Sequence, residues 1–216
     1  MDESIKQKID DFFSKYNTRS YSKGQVLILN GDKSEYIYNL VEGRVKQYDV
    51  NYRGDEIILN VFKPPAFFPM SLAINNQASP FIFEAETDIK IRQADAKDAV
   101  KFLKDNPDVM FDLLSRVYRG TDGLLTRMVH LMAGSAKARL MFEILLSCKR
   151  FGDSKSDGSC TITLNESELA ARAGLSRETV SREMSKLNSA KLLKLDNGKI
   201  TVYSLKVFEE KLSKTV

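Results

Sequence analysis

The segment from Leu175 to Arg182, with the sequence Leu-Ser-Arg-Glu-Thr-Val-Ser-Arg, carries side chains that can read the edges of DNA base pairs. Arg177 and Arg182 can each donate two hydrogen bonds to the O6 and N7 atoms of a guanine, and Glu178 can accept one from the N4 of a cytosine. Ser181 adds a hydroxyl group close by. A helix packed into a protein core would not place so many polar side chains in its first two turns, so the segment predicts a helix that enters the major groove of DNA.

The residues before this segment predict the rest of a helix-turn-helix. Asn165 can cap a helix, and Glu168 three residues later completes a capping-box pattern. Gly174 supplies a tight turn, and Ser176 can cap the next helix, predicted over residues 177–188.

One face of this second helix is apolar. Val180, Met184 and Leu187 follow helical spacing and form a stripe that can be buried, whereas the base-reading candidates face away from it. The competing interpretation is an exposed helix whose charges pair with one another.

A hairpin is predicted directly after the second helix, which makes the unit a winged helix. Two β-type runs, 192–195 and 200–203, flank Asp196-Asn197-Gly198, and Asn-Gly favours a tight two-residue turn. The candidate contacts to DNA phosphates lie on this hairpin and on the second helix: Ser176, Thr179, Lys186, Lys194 and Lys199.

Charge is unevenly distributed along the 216 residues, whose net charge is +4. Residues 134–216 contain 15 basic and 10 acidic side chains, whereas residues 1–133 contain 18 and 19. A local basic excess favours phosphate binding, although a basic and merely soluble surface would give the same count.

Composition excludes several other classes of protein. No run of about 18 apolar residues predicts a membrane span, and the N-terminus lacks the apolar core of a signal peptide. Cys148 and Cys160 have neither a disulfide framework nor metal-ligand spacing around them. These features predict a cytoplasmic protein with no membrane partner and no metal site.

The chain is predicted to be α+β, with three parts: an N-terminal β-rich domain at 1–105, a long helix at 106–133 and a DNA-binding domain at 134–216. Short β-type runs punctuated by glycine and proline fill residues 20–94. The long helix carries an apolar seam at alternating spacings of four and three, typical of a parallel coiled-coil dimer. The seam consists of Met110, Leu114, Val117, Thr121, Leu124, Met128 and Leu131. A helix packed only within its own domain remains the alternative.

The chain resembles the CRP/FNR family of bacterial transcription regulators over nearly its whole length. The resemblance is carried by Gly24, by Gly31-Asp32 and Gly43 in the first half, by Asn106-Pro107-Asp108 at the start of the long helix, and by the Ser176–Arg182 segment. Arg139 also stands where the family often has an arginine.

This resemblance implies a cyclic-nucleotide-binding-type β-roll (jelly roll), a dimerising helix and a C-terminal winged helix-turn-helix. It also implies a homodimer that binds an inverted repeat in double-stranded DNA, with RNA polymerase as a further partner. Arg177, Glu178 and Arg182 would read bases with help from Ser181. Arg177 with Arg182 matches members that prefer TGTGA-type half-sites, and Glu178 with Ser181-Arg182 matches members that prefer TTGAT-type half-sites. Their shared GA step is assigned to Glu178 and Arg182.

The effector region departs from the family pattern. Cyclic-AMP binders have Gly-Glu and Arg-Ser pairs around a phosphate loop, but no arginine lies between Arg53 and Arg92 here. The family's adenine-reading Thr-Ser pair is matched by Leu124-Leu125. A buried phosphate without a cationic partner is costly, so cyclic AMP is not expected to bind in the usual way, and no cofactor is predicted.

Apolar side chains occupy the positions of this effector pocket. They either fill it or receive an apolar ligand, and both interpretations stay open at this level. The residues are Phe62, Phe67, Phe68, Met70, Leu72, Phe81, Phe83, Leu124, Leu125 and Met128.

Other functions have weaker support in the sequence. A ligand-dependent sensor, for an apolar molecule or haem, is the main alternative; His130 is the one histidine available as an axial ligand. A pure sensor without DNA binding conflicts with the base-reading segment. An enzyme is not predicted, because no pairing of nucleophile and base and no phosphate loop is visible. Cys148 is expected to pack as a small apolar residue, and Cys160, beside a polar loop, is a weak candidate for redox chemistry.

Overall fold

The computed structural model describes residues 2–196 and 198–214. Backbone contacts divide the chain into two compact units, residues 1–120 and residues 121–216, called here the N-terminal and C-terminal units. The division falls inside one long helix. The three-part division made from the sequence stays a prediction.

Within the described residues, the N-terminal unit is built from eight strands and three helices, followed by the first half of a fourth helix. In chain order the elements are α1 (Glu3–Phe13), β1 (Thr18–Tyr21), β2 (Val26–Ile28), β3 (Tyr36–Glu42), β4 (Val45–Val50), β5 (Glu56–Phe62), β6 (Ala66–Phe68), α2 (Met70–Asn75), β7 (Ile82–Ala85), β8 (Ile89–Asp95), α3 (Ala96–Asp105) and α4 (Pro107–Ala133). The strands form two four-stranded sheets, ordered β1-β8-β3-β6 and β2-β7-β4-β5. Every pairing within them is antiparallel.

Side chains on the two faces of β3 pack into two different apolar cores. Tyr38 and Leu40 belong to a core cluster shared with residues of the second sheet, whereas Ile37 on the opposite face packs with α1, α3 and the start of α4. Successive side chains of a strand point to opposite faces, so one strand contributes to both cores. The α+β fold with a β-roll-type N-terminal part is thereby confirmed.

Gly43 makes the tight connection between β3 and β4. Its φ of +83° is rarely adopted by residues with a side chain, and an added Cβ would collide with the carbonyl oxygen of Asp88. The glycine named in the sequence resemblance therefore has a steric reason to be there.

Within the described residues, the C-terminal unit contains the second half of α4, four further helices and a small sheet. Its further elements are α5 (Ala136–Phe151), β9 (Asp153–Ser154), β10 (Cys160–Thr163), α6 (Glu166–Ala173), α7 (Arg177–Ser189), β11 (Leu193–Asp196), β12 (Lys199–Val202) and α8 (Leu205–Ser213). The sheet order is β11-β12-β10-β9, and α5, α6, α7 and α8 share one apolar core with it.

Several elements were not foreseen from the sequence: β1, β6, α2, β9 and α8. Most of them are short, and strands of two to four residues leave too few positions for a period to be recognised. The predicted turn residue Asn197 lies outside the described residues.

The long helix α4 runs without a break through Gly120 and Gly123. A Cβ at either glycine would meet no atom within 4 Å, so neither marks a close approach inside this chain. The predicted seam is largely exposed, as Met110, Leu114 and Val117 illustrate.

A second apolar row runs beside this seam. It consists of Phe111, Tyr118, Leu125 and Met132, spaced seven residues apart, and Phe111 and Met132 are 74% and 79% exposed. Exposing apolar side chains of this size to water is unfavourable. A second surface that covers them along α4 is therefore expected.

Candidate nucleic-acid interface

The first helix of the helix-turn-helix begins with the capping box expected from the sequence. The Asn165 side chain accepts from the Glu168 amide at 2.8 Å, and the Glu168 carboxylate accepts from the Asn165 amide at 3.0 Å. These two bonds satisfy donors that the first turn of a helix leaves unpaired. The helix ends at Gly174, whose φ of +60° turns the chain toward α7.

Arg139 on α5 holds this turn from behind. Its Nε and Nη2 atoms donate to the carbonyl oxygen of Ala173 at 3.0 and 2.7 Å, and Nη2 also donates to that of Gly174. The last carbonyl groups of a helix lack partners within it, and a guanidinium can serve two at once. The sequence marked Arg139 only by its position in the family pattern; its task as a support for the turn comes from the structure.

The second helix, α7, begins where predicted. The Ser176 hydroxyl accepts from the Thr179 amide at 3.2 Å and caps the helix. Val180, Met184 and Leu187 are buried in the core, as the apolar stripe predicted.

The base-reading candidates lie on the opposite side of α7. The side chains of Arg177 and Arg182 are 70% and 63% exposed, Glu178 is exposed and Ser181 is half-buried. These four residues line one open groove of about 550 Å³ together with Glu166 and Ser185. The structure therefore brings the predicted base-reading residues together on one surface.

Glu178 is held in its charged form. Its own backbone amide lowers the pKa of its carboxyl group most, followed by the Ser176 hydroxyl, and the charge of Arg177 adds to the effect. An ionised carboxylate is a pure acceptor, as an interaction with a cytosine amino group requires.

Buried Glu183 is an acidic partner of two predicted DNA-contacting side chains, and sequence reasoning missed it. Its carboxylate lies 2.7 Å from the Lys186 ammonium and 3.7 Å from the Arg182 Nε atom. A carboxylate without exposure needs cations beside it, and these two cations belong to the predicted DNA contacts. The i,i+3 spacing of Glu183 and Lys186 was the available signal.

The wing is a two-stranded hairpin of β11 and β12, in which Asp196 pairs with Lys199. Lys194 and Lys199 are exposed, and the Lys194 ammonium lies 3.5 Å from the Asp196 carboxylate. Both wing lysines can therefore reach a phosphate backbone, although Lys194 has an acidic neighbour in the same hairpin.

Four of the seven expected effector-pocket residues in the N-terminal unit share one core cluster, namely Phe62, Phe68, Phe81 and Phe83. The rings of Phe62, Phe68 and Phe83 are stacked, with centroids 4.7 to 6.0 Å apart. Met70 and Leu72 are buried on α2, and Phe81 packs at the edge of the same core as Phe83. Aromatic rings at these separations make favourable contacts and leave little room between them.

Phe67 and Met70 belong to a different environment, the apolar cluster formed by α1, α3 and the start of α4. The Phe67 ring lies 6.1 Å from the Phe13 ring. Leu124, Leu125 and Met128 belong to the C-terminal unit, where each is more than half exposed. The ten predicted pocket residues are thus spread over three environments.

Arg116 on α4 is a cation that the sequence did not assign to this region. Its Nη1 donates to the carbonyl oxygen of Pro65 at 3.3 Å, and its guanidinium lies 5.7 Å from the Phe67 ring. Its Nε also donates to Asp112 at 2.7 Å. Arg116, 51 positions after Pro65 in the chain, thus approaches the Pro65 loop, which contains no arginine itself.

His130 and the two cysteines are packing residues in this structure. The His130 ring stacks on Phe142 at 4.1 Å, and burial lowers the pKa of its imidazole. Cys148 and Cys160 lie in the core; Cys160 is fully buried rather than accessible beside the polar loop. Burial raises the pKa of the Cys148 thiol above its usual range, which disfavours the reactive thiolate.

Comparisons with known proteins match both units. Residues 18–106 match the family model of the cyclic nucleotide-binding domain, and residues 138–210 match that of the Crp-like helix-turn-helix domain. Among the described residues, no helix is long and apolar enough to cross a membrane, and no group of three or more potential metal ligands is found.

Three similar proteins illustrate the range of relatives. A global nitrogen regulator of a Nostoc strain is 27% identical over 191 residues, covering 85% of this chain and 84% of its own length. The cAMP-activated global transcriptional regulator CRP of Pasteurella multocida is 24% identical over 201 residues, covering 93% and 96%. The crystal structure of a CRP/FNR-family transcriptional regulator from Thermus thermophilus superposes with a TM-score of 0.77 at 23% identity, covering 93% of this chain and all of that one.

Proposed function

Because the chain belongs to the CRP/FNR family of transcription regulators, we propose that it binds an inverted-repeat DNA site as a homodimer, with α7 in the major groove of each half-site. The observation that carries the proposal is that Arg177, Glu178, Ser181 and Arg182 line the same groove along α7. These residue types match the hydrogen-bonding pattern of guanine and cytosine edges.

The contacts divide into two kinds. The four groove residues read bases, whereas Ser176, Thr179, Lys186 and the wing lysines Lys194 and Lys199 contact phosphates. Ser176 and Thr179 stand at the N-terminus of α7, where the helix dipole favours an anion. Phosphate contacts position the protein, and base contacts choose the sequence.

The exposed apolar face of α4 supports the homodimer. The seam from Met110 to Leu131 and the neighbouring row from Phe111 to Met132 together would be covered by the same helix of a second copy. A two-fold dimer places its recognition helices about one DNA turn apart, roughly 34 Å, which suits an inverted repeat. We also propose RNA polymerase as a partner, on the basis of the family to which the chain belongs.

Selection of bound DNA from a random pool by the purified, ligand-free protein tests this function. We expect an enriched inverted repeat with a GA step in each half-site. The affinity for that site should fall steeply with salt, because each phosphate contact releases counterions. A pool without an enriched motif, or a salt-independent affinity, would contradict the proposal.

We further propose that the protein does not depend on cyclic AMP. The stacked Phe62, Phe68 and Phe83 rings occupy the interior of the β-roll, and Arg116, the arginine that approaches the Pro65 loop, is engaged by Asp112. A phosphate placed there would lose its hydration without gaining a dedicated cation.

Isothermal titration calorimetry with cyclic AMP checks this second proposal. We expect no binding heat at micromolar nucleotide, and no change in the DNA affinity when the nucleotide is added. The cAMP-activated relative from Pasteurella multocida is the positive control. A sub-micromolar dissociation constant for this chain would show the proposal to be wrong.

A further inference from the structure

The acidic residue Glu166 contacts the first base-reading arginine. Glu166 opens α6 and Arg177 opens α7, and the Arg177 Nε atom lies 3.5 Å from a Glu166 carboxylate oxygen. The Glu166 side chain is 36% exposed and that of Arg177 is 70% exposed. Neither residue is buried in the core, so their pairing occurs on the surface that faces DNA in the proposed function.

Glu166 and Arg177 both line two neighbouring grooves. One is the groove of about 550 Å³ along α7, and the other, of about 490 Å³, lies between α6, α7 and the wing. The pair therefore stands where the two grooves meet, and a DNA edge entering the first groove passes the Glu166 carboxylate.

The atom that makes the contact decides what Arg177 can still do. A guanidinium has five donors in a planar fork, and the carboxylate engages it from the Nε side. Both terminal nitrogens remain able to donate to the O6 and N7 atoms of a guanine. A carboxylate 3.5 Å from Nε thus favours one direction of the fork and leaves its terminal nitrogens accessible.

The pair contributes through orientation rather than through stability. Exposed ion pairs add little to the stability of a fold. A free arginine side chain has many rotamers, and part of this conformational entropy is lost whenever the fork docks on a base. Restricting the side chain before binding lowers that cost for the correct base.

The negative charge of Glu166 lowers the affinity for DNA of random sequence. A carboxylate on the DNA-facing surface repels phosphates and weakens binding that depends on charge alone. At the preferred site, the contact of the pre-oriented Arg177 with guanine offsets this repulsion. At other sequences that contact is not made, and the repulsion is not offset.

We propose that Glu166 is a positioning residue that sets sequence specificity by holding the Arg177 fork toward guanine while disfavouring non-specific DNA. This inference rests on the proposed DNA-binding function. It adds to that function a residue of α6, a helix from which the sequence assigned no base-reading role.

The variant Glu166→Gln tests the proposal. It keeps the size of the side chain and removes its charge. Fluorescence anisotropy should show binding to random DNA about threefold tighter, because one repulsive charge is gone. Discrimination at the base pair read by Arg177 should fall by about three- to tenfold, which corresponds to about 0.7–1.4 kcal/mol.

Two further variants separate orientation from charge. Arg177→Ala identifies the base pair concerned, and in the Arg177→Ala background Glu166→Gln should change discrimination at no position. Glu210→Gln, on the exposed surface of α8, makes the same change in net charge and should leave discrimination as in the wild type. Circular dichroism verifies that each variant is folded.

The outcomes distinguish this inference from the function beneath it. If wild-type protein prefers a site and Glu166→Gln keeps the full preference, the role of Glu166 is wrong and the proposed function stands. If Glu166→Gln still changed discrimination in the Arg177→Ala background, the role of Glu166 would also be wrong. If the wild type shows no preference for any sequence, both proposals fail.

Discussion

Replacing Arg127 by methionine should lower the free energy of unfolding of the C-terminal unit by about 3–5 kcal/mol at neutral pH. The Arg127 Nε donates to the Glu143 carboxylate at 2.5 Å, and the side chains of the two residues are only 11% and 3% exposed. Arg127 Nη2 also donates to the carbonyl oxygen of Arg172 at 2.5 Å. Removal of the Arg127 cation leaves the buried Glu143 carboxylate with one partner fewer. A buried charge that loses its partner strongly destabilises a fold.

The loss of stability should depend on pH. Burial raises the pKa of the Glu143 carboxyl, while Arg127 is first among the charges that oppose the rise. When the pKa of a carboxyl group is higher in the folded than in the unfolded state, its contribution to stability is fully present at pH values below the unfolded-state pKa. This contribution is lost as the pH rises through the folded-state pKa. Without Arg127 the folded pKa rises further, so the difference between variant and wild type should shrink as pH falls toward the ordinary range of a glutamate.

Urea unfolding at neutral and at mildly acidic pH, with hydrogen exchange of the α5 amides to locate the effect, measures this prediction. Lys137→Met removes an exposed cation from α5 and should stay within about 0.5 kcal/mol of the wild type. The double variant Arg127→Met/Glu143→Leu should recover most of the loss, because it removes both charges. Equal stability of Arg127→Met and Lys137→Met would contradict the assignment.

Replacing Arg182 by alanine should weaken binding to the preferred site by about 1–3 kcal/mol and relax the preference for its guanine. Arg182 projects from α7 into the base-reading groove, with 63% of its side chain exposed. A bidentate contact to guanine is lost, whereas phosphate contacts made elsewhere remain. Lys186 still neutralises Glu183 at 2.7 Å, so the helix should keep its fold.

The matched comparison is Lys194→Ala on the wing. It should weaken specific and random DNA alike and reduce the slope of affinity against salt by about 1, as expected for one phosphate contact. Competition assays with single-base variants of the selected site measure both effects. If Arg182→Ala weakened random and specific DNA equally, the base-reading role of Arg182 would be wrong.

The helix-turn-helix was predictable because its signals are local. The capping box of Asn165 and Glu168, the turn at Gly174 and the cap at Ser176 each involve residues within one helical turn of one another. The apolar stripe of α7 is likewise a pattern of neighbouring turns. Interactions of this range are written directly into the order of residues.

The effector region shows where prediction from the sequence reached its limit. The run of phenylalanines was recognised, but whether they fill the β-roll or surround a ligand depends on how β5, β6 and β7 meet. The stacking of Phe62, Phe68 and Phe83 results from the packing of β6, in one sheet, against β5 and β7, which flank β4 in the other. The approach of Arg116 to Pro65, across 51 residues, was invisible for the same reason.

The sequence by itself determined the family, the α+β class and the exposed polar face of the recognition helix, because hydrophobic period, caps and turn residues act over a few positions. Only the tertiary structure decided which charges are neighbours. It placed Arg127 against Glu143, Arg139 behind the turn at Gly174, and Glu166 beside Arg177. These contacts join residues of different elements, and the packing of the apolar core, rather than any local pattern, brings them together.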